Sequence, residues 1–209
     1  MPAPPLSRSA RKRADILGAA EELFLAHGYL GASVDDVASR AHVSKPTVYA
    51  HFGNKEALFV AVVSAMTGDA GDRVLDHRAA ESDELDDDVA RHLRSYALRQ
   101  LTVVLQPRLL QLRRLVIGEV ARFPELADAL FDGGPARAIT ELTHLVAAYA
   151  ERGLLHVDDP RVAATHLNWL VMGAPLNVAM LLGDKGIPSE EALIRHVKEA
   201  VRIFVAAHS

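Results

Sequence analysis

The 209-residue sequence contains no cysteine. That absence excludes disulfide scaffolds, thiolate-ligated zinc, iron–sulfur clusters and thiol nucleophiles, and it suits a reducing, cytoplasmic setting. Aromatic side chains are scarce, with one Trp, four Tyr and six Phe, so any internal pocket is expected to be mainly aliphatic. Met1 to Arg13 has no apolar stretch that could act as a signal-peptide core, and no later run reaches the ~18 apolar residues of a membrane span. A strong positive charge is missing too: 23 Lys and Arg stand against 27 Asp and Glu, a net charge of −4. A protein that coats nucleic acid through its whole surface would need the opposite balance. The average hides an asymmetry, because residues 1–60 hold 7 basic against 6 acidic side chains while the remainder holds 16 against 21. Four of those seven basic residues lie between Arg8 and Arg13.

Half of the residues are hydrophobic and 24% are charged, which allows a sizeable core. Residues 1–9, rich in Pro and Ser, predict a flexible basic arm. From Ala10 onward the periodicity is helical. Ile16, Leu17, Ala20, Leu23, Phe24 and His27 recur at spacings of three and four, with Gly28 as a stop and Tyr29 available to fold back on the helix. Ser33 then precedes the stripe Val34, Val37, Ala38 and Ala41, with Asp36 completing a capping box. After the break at His42-Val43-Ser44, only a short helix over Lys45 to Ala50 fits before His51-Phe52-Gly53. Asn54 can cap a fourth helix starting at Lys55 and running to about Gly68.

Further helices are expected over about 86–104, 107–122, 124–131, 135–152, 160–182 and 189–207, separated by proline and glycine breaks. The acidic run ESDELDDD at 81–88 reads as a solvated connector feeding the next helix. No stretch alternates with period two. The expected fold is all-α, in about nine or ten helices.

The stretch from Ser33 to Leu58 carries the functional signal. A two-turn helix, a three-residue break and a very short second helix are the parts of a helix-turn-helix, in which the second helix enters the major groove of DNA. That second helix offers Lys45, Thr47, Tyr49 and His51 on its outer face, with Ser44 and Pro46 at its start, while Val43, Val48 and Phe52 remain to pack inward. Ser33 and Asn54 sit at helix starts suited to phosphate oxygens, Lys55 follows, and Arg8, Arg11, Lys12 and Arg13 add charge.

The string VDDVASRAHVSKPTVYAHFGNKEALF, with the preceding Gly28-Tyr29, resembles the N-terminal DNA-binding domain of the TetR/AcrR regulators over residues 10–60. The resemblance implies that Lys45, Thr47, Tyr49 and His51 face DNA, and that Lys55 and the Ser33 helix start meet phosphates. One departure is His42, at a turn position where the family usually has Gly. Residues 114–142 are similar to the C-terminal domain of the AefR-like branch. Together these imply a helix-turn-helix domain over 10–55 and a ligand-binding and dimerisation domain over 56–209.

The 160–182 segment is apolar around most of its circumference, and 189–207 has a wide apolar stripe, which predicts a homodimer built from these two helices. Candidate residues for a ligand cavity are Met66, Tyr96, Leu112, Val116, Phe123, Phe131, Asn168, Trp169, Met172 and Asn177. Pro175 removes the hydrogen bond to the Val171 carbonyl and should kink its helix. Glu141 and His144 have the Glu-x-x-His spacing of di-iron bundles, but no second copy accompanies them. Nucleophile and metalloprotease motifs are missing as well. No enzyme activity and no cofactor are expected. The sequence points to a transcriptional regulator, a repressor released from a pseudo-palindromic DNA operator by a small, mainly apolar inducer, with no membrane partner.

Overall fold

The computed structural model describes residues 7–80 and 88–209, with side chains described for all of these except 76–80. Ten α-helices account for most of them: α1 Arg8–Gly31, α2 Val34–Arg40, α3 Lys45–Phe52, α4 Lys55–Ala80, α5 Val89–Val104, α6 Pro107–Glu119, α7 Glu125–Phe131, α8 Arg137–Glu151, α9 Pro160–Leu182 and α10 Glu190–His208. A π-helical turn, Asp132–Ala136, joins α7 to α8, and a 3₁₀ turn, Gly183–Gly186, follows α9. No strand occurs among the described residues, in keeping with the all-α expectation.

The chain divides into two compact units, 1–66 with 111–130 and 67–110 with 131–209. This differs from a division into residues 10–55 and 56–209, because most of α6 and α7 cluster with the first unit. A local reason is visible in the hydrogen bond from Gln111 Nε2 to the Leu25 carbonyl of α1, 2.7 Å. Within the first unit, Ile16, Phe24, Val37, Val48, Leu58, Phe59, Val62, Leu112, Val116 and Leu126 are buried.

Two boundaries differ from the sequence reading. Residues 1–6 lie outside the described residues, but the flexible arm expected through residue 9 gives way to helix at Arg8. Ser7 Oγ accepts from the Ala10 N–H at 3.1 Å, and Arg, Lys and Ala are good helix formers once a cap is in place. Arg8, Arg11, Lys12 and Arg13 therefore stand on the first turns of α1, all exposed. Secondly, α4 continues past Gly68 to Ala80. Gly71 has a packing role, since a Cβ there would lie 2.7 Å from Arg137 Nη1, whereas a Cβ on Gly68 would meet nothing within 4 Å. Arg137 instead reaches Asp72 Oδ1 at 2.7 Å, which ties α8 to α4 within the second unit. The acidic run over 81–87 lies outside the described residues, while Asp88 caps α5 by accepting from the Arg91 N–H at 2.9 Å.

The core of the second unit gathers Leu93, Leu101, Leu142, Val146, Tyr149, Leu167, Val171, Val201 and Phe204. Two polar arrangements are built into it. Tyr149, fully buried, has its hydroxyl 2.7 Å from His92 Nδ1. Gln100 Nε2 donates to Asn168 Oδ1 at 3.0 Å, joining α5 to α9 through two buried amides. Helix α9 runs on through Pro175. The Val171 carbonyl, which loses its usual donor to that proline, is 2.8 Å from His196 Nε2 of α10. A neighbouring helix thus supplies the hydrogen bond that proline withholds.

Candidate nucleic-acid interface

Local capping builds the helix-turn-helix. Ser33 Oγ accepts from the Asp36 N–H at 3.0 Å and donates to the Asp36 carboxylate at 2.5 Å, so its hydroxyl is fully engaged in starting α2. At the other end of α2, the His42 N–H bonds the Ser39 carbonyl and the Val43 N–H bonds the Ala38 carbonyl, at 3.2 and 3.0 Å. This is a Schellman closure, which puts the residue after the cap in the left-handed region. That residue is His42, with φ 53°. A side chain there costs ~1–2 kcal/mol, and glycine's greater freedom in the unfolded chain offsets ~0.4–1 kcal/mol of the gain from removing it. His42→Gly is therefore expected to stabilise the protein by about 0.5–1 kcal/mol, read as a raised urea midpoint at constant slope; an unchanged or lowered midpoint would contradict the strain.

Helix α3 is capped by Ser44, whose Oγ accepts from the Thr47 N–H at 3.3 Å and lies 2.8 Å from Thr47 Oγ1. Pro46 occupies the first turn, where its missing N–H costs nothing. Val48 and Phe52 are buried. Lys45, Pro46 and Tyr49 are exposed, and Thr47 and His51 are half-buried. All of the residues proposed for the recognition helix thus share one short element, and its solvent side is polar. From the first turns of α1, the Arg13 guanidinium lies over the Phe52 ring, 5.0 Å from its centroid.

Lys45 is not free. Its Nζ pairs with Asp35 Oδ2 at 2.9 Å, and that bond, with the attraction of the same carboxylate, raises the ammonium above the ordinary lysine range. The pair is exposed and its contribution to stability is small. Asp35 escaped the sequence reading, because two charges ten residues apart on different helices leave no periodic signal.

Helix α4 starts with Asn54 Oδ1 accepting from the Ala57 N–H at 2.7 Å. Lys55, its first residue, places Nζ over the Tyr29 ring, 4.3 Å from the centroid. The Tyr29 hydroxyl donates to Glu56 Oε1 at 2.8 Å. Burial first, and the hydrogen bond to the Glu56 carboxylate second, push the phenol up to about 12. Glu56 is held below the usual carboxylate range by its own backbone N–H and then by Tyr29. Desolvation lowers the Lys55 ammonium, and the nearby Arg122 guanidinium adds to that. Arg122, in the turn after α6, lies 5.5 Å from the Tyr29 centroid and 5.1 Å from that of Phe123.

The residues named for a ligand cavity are divided between the two units. Met66, Leu112 and Val116 are buried in the first unit, and Phe123 sits edge-on to Tyr29 at 4.5 Å. Tyr96, Asn168 and Met172 are buried in the second. Phe131 and Trp169 are about half exposed, at 53% and 49%, and Asn177 is exposed. No group of three or more His, Asp and Glu side chains suited to a metal gathers among the described residues. No described helix is long and apolar enough to cross a membrane.

Comparison with known proteins matches both parts of the chain. Residues 16–62 match the family described as bacterial regulatory proteins, tetR family, and residues 91–209 match the AefR-like transcriptional repressor, C-terminal domain. A TetR-family transcriptional regulator from Mesorhizobium loti superposes with a TM-score of 0.89 and 33% identity, over 98% of this chain and 100% of that one. The Flavonoid-responsive Regulator FrrA does so with a TM-score of 0.79 and 29% identity, over 95% and 97% of the two chains. Among curated proteins, the DNA-binding transcriptional repressor TetR of Mycobacteroides abscessus is 25% identical over 94% of this chain and 82% of its own length. The HTH-type transcriptional activator FasR of Mycolicibacterium smegmatis is 46% identical, but over 25% of this chain and only 24% of its own length. The chain belongs to the TetR family of DNA-binding transcriptional regulators and carries an AefR-like C-terminal domain.

Proposed function

We propose that the protein is a cytoplasmic, ligand-responsive repressor that holds a pseudo-palindromic operator as a homodimer and leaves it when a small, mainly apolar molecule occupies the C-terminal domain. The observation that carries this reading is the exposed polar side of α3, a capped helix of eight residues on which Lys45 and Tyr49, one turn apart, face solvent together, with Thr47 half-buried to one side. Lys55 and the basic start of α1 supply phosphate contacts that orient the helix without reading sequence.

Pairing through α9 and α10 is supported by the large apolar side chains those helices leave exposed: Val162, Leu170, Val178 and Leu181 on α9, and Ile194 and Ile203 on α10. A twofold pair would present two copies of α3 to a symmetric site. A responsive role is supported by the likeness to FrrA, whose name records flavonoid responsiveness. The buried Gln100–Asn168 amides would orient a mainly apolar guest. Release requires only that the guest bind the two arrangements unequally; a coupling of ~1–3 kcal/mol gives roughly 5- to 150-fold weaker DNA binding. Helix α4, continuous from Lys55 to Ala80, is the proposed lever.

The test is a gel-shift titration with DNA flanking the protein's own gene, against excess nonspecific competitor, with sedimentation run in parallel. The expected result is a specific complex formed by a dimer of about 45 kDa, twice the 22.6 kDa chain. Binding no tighter than to competitor, or a stable monomer, overturns the reading.

A further inference from the structure

We propose that Arg122, contributed by the turn between α6 and α7, is a second cation of the Lys55 phosphate site, so that one stretch of DNA backbone is seated by side chains 67 positions apart in the sequence. The inference rests on the DNA-binding reading above and adds a contact from outside the helix-turn-helix.

Three features of the first unit carry it. The two cations share one ring, Lys55 Nζ at 4.3 Å and Arg122 Cζ at 5.5 Å from the Tyr29 centroid, which limits their separation to less than ~10 Å. Neither makes an ion pair with a carboxylate among the described residues. The carboxylate best placed to neutralise them, Glu56, is committed to the Tyr29 hydroxyl at 2.8 Å and to its own backbone N–H. Glu119, three residues before Arg122, is felt electrostatically by Tyr29 and Lys55. An aromatic face attracts cations but offers no oxygen to their N–H groups, so the ammonium and the guanidinium keep donors that a phosphate oxygen can accept from.

The position suits a DNA phosphate in particular. Lys55 opens α4, two residues after the Gly53 that ends α3, so the site adjoins the recognition helix. The helix start adds its own partial positive charge. Arg122 is exposed and is held in place by its turn, with the N–H groups of Arg122 and Phe123 both 2.9 Å from the Glu119 carbonyl.

The alternative is that Arg122 only fastens residues 111–130 to Tyr29 by stacking. Salt dependence separates the two, because a lost phosphate contact lowers the slope of log K against log salt and a lost packing contact does not. The probe is a 30-base-pair duplex of mixed sequence, titrated with full-length protein at several salt concentrations. Wild-type protein is expected to bind, Arg122→Gln to lower the slope by about 0.9, and Arg122→Lys to retain it. Lys55→Gln should lower the slope in the same way. An unchanged slope for Arg122→Gln, with or without weaker affinity, overturns the phosphate role. Absence of wild-type binding at every salt concentration would instead overturn the DNA-binding reading itself.

Discussion

Tyr49→Ala is expected to weaken operator binding by about 10- to 100-fold while leaving the melting transition and helical content unchanged. Tyr49 is 41% exposed on the outer side of α3 and shares that side with Lys45. A side chain that reaches a base edge contributes roughly 1–3 kcal/mol of discrimination, and nothing inside the unit depends on this one. Binding to competitor DNA should change little, because the proposed phosphate contacts lie elsewhere, at Lys55 and the start of α1. Specificity, measured as the ratio of operator to competitor affinity, should therefore fall almost as far as affinity itself. A Tyr49→Ala protein with full operator affinity would mean that another face of α3 meets DNA. Thr47→Ala is a less clean probe, since its hydroxyl lies 2.8 Å from the capping Ser44 Oγ and its loss disturbs the start of the helix.

Much of this interface is readable in the sequence because it is made by local rules. Ser33 and Asn54 each cap the helix that follows, as the spacing requires, and Ser44, which the sequence places in the break, caps α3 by the same local bond. The unusual His42 stands out through the family resemblance, which has Gly at that turn position, and the Schellman closure of α2 gives the physical reason, one left-handed position after the cap. Local rules also mislead where tertiary contacts decide. Gly68 reads as the end of a helix by propensity, yet α4 continues to Ala80, where Arg137 of α8 passes over Gly71 to reach Asp72. The proline-rich N-terminus suggests an arm, yet one serine at position 7 is enough to start α1 at Arg8.

What the sequence conceals is whatever joins distant positions. The carboxylate of Asp35 on Lys45, Arg122 over Tyr29 and His196 beside the Val171 carbonyl have no periodicity to announce them. Each alters the meaning of a residue that was readable alone. Lys45 must exchange a carboxylate for a phosphate or base before it can contact DNA. Val171 keeps a hydrogen-bond partner although Pro175 withholds one. Trp169, which helical periodicity places on a wide apolar stripe, remains 49% exposed on the single chain, where a partner molecule could cover it.

Phe59→Ala is expected to destabilise the first unit by about 3–5 kcal/mol and to abolish binding to every DNA sequence tested under conditions where the wild-type protein binds. Phe59 is 1% exposed, and its ring lies 4.8 Å from that of Phe24 and 5.3 Å from that of Tyr29. It stands one turn beyond Lys55 on the same side of α4, so the nest that buries Phe59 also supports the ring on which Lys55 and Arg122 rest. Truncation removes the transfer energy of the ring and leaves a void that its two stiff aromatic neighbours, Phe24 and Tyr29, cannot close by small shifts. Against a total stability of ~5–15 kcal/mol, that loss populates unfolded chains heavily. Phe59→Leu keeps most of the volume and should cost less than half as much, with DNA binding and its salt slope preserved. Urea titration of both variants, followed by helicity and tyrosine fluorescence, separates this effect from the charge effects at Lys55 and Arg122: the alanine variant should have a lowered midpoint and the Arg122→Gln variant a nearly unchanged one. An alanine variant with the wild-type midpoint would mean that the aromatic nest does not hold the start of α4, and the support inferred for Lys55 and Arg122 would fall with it.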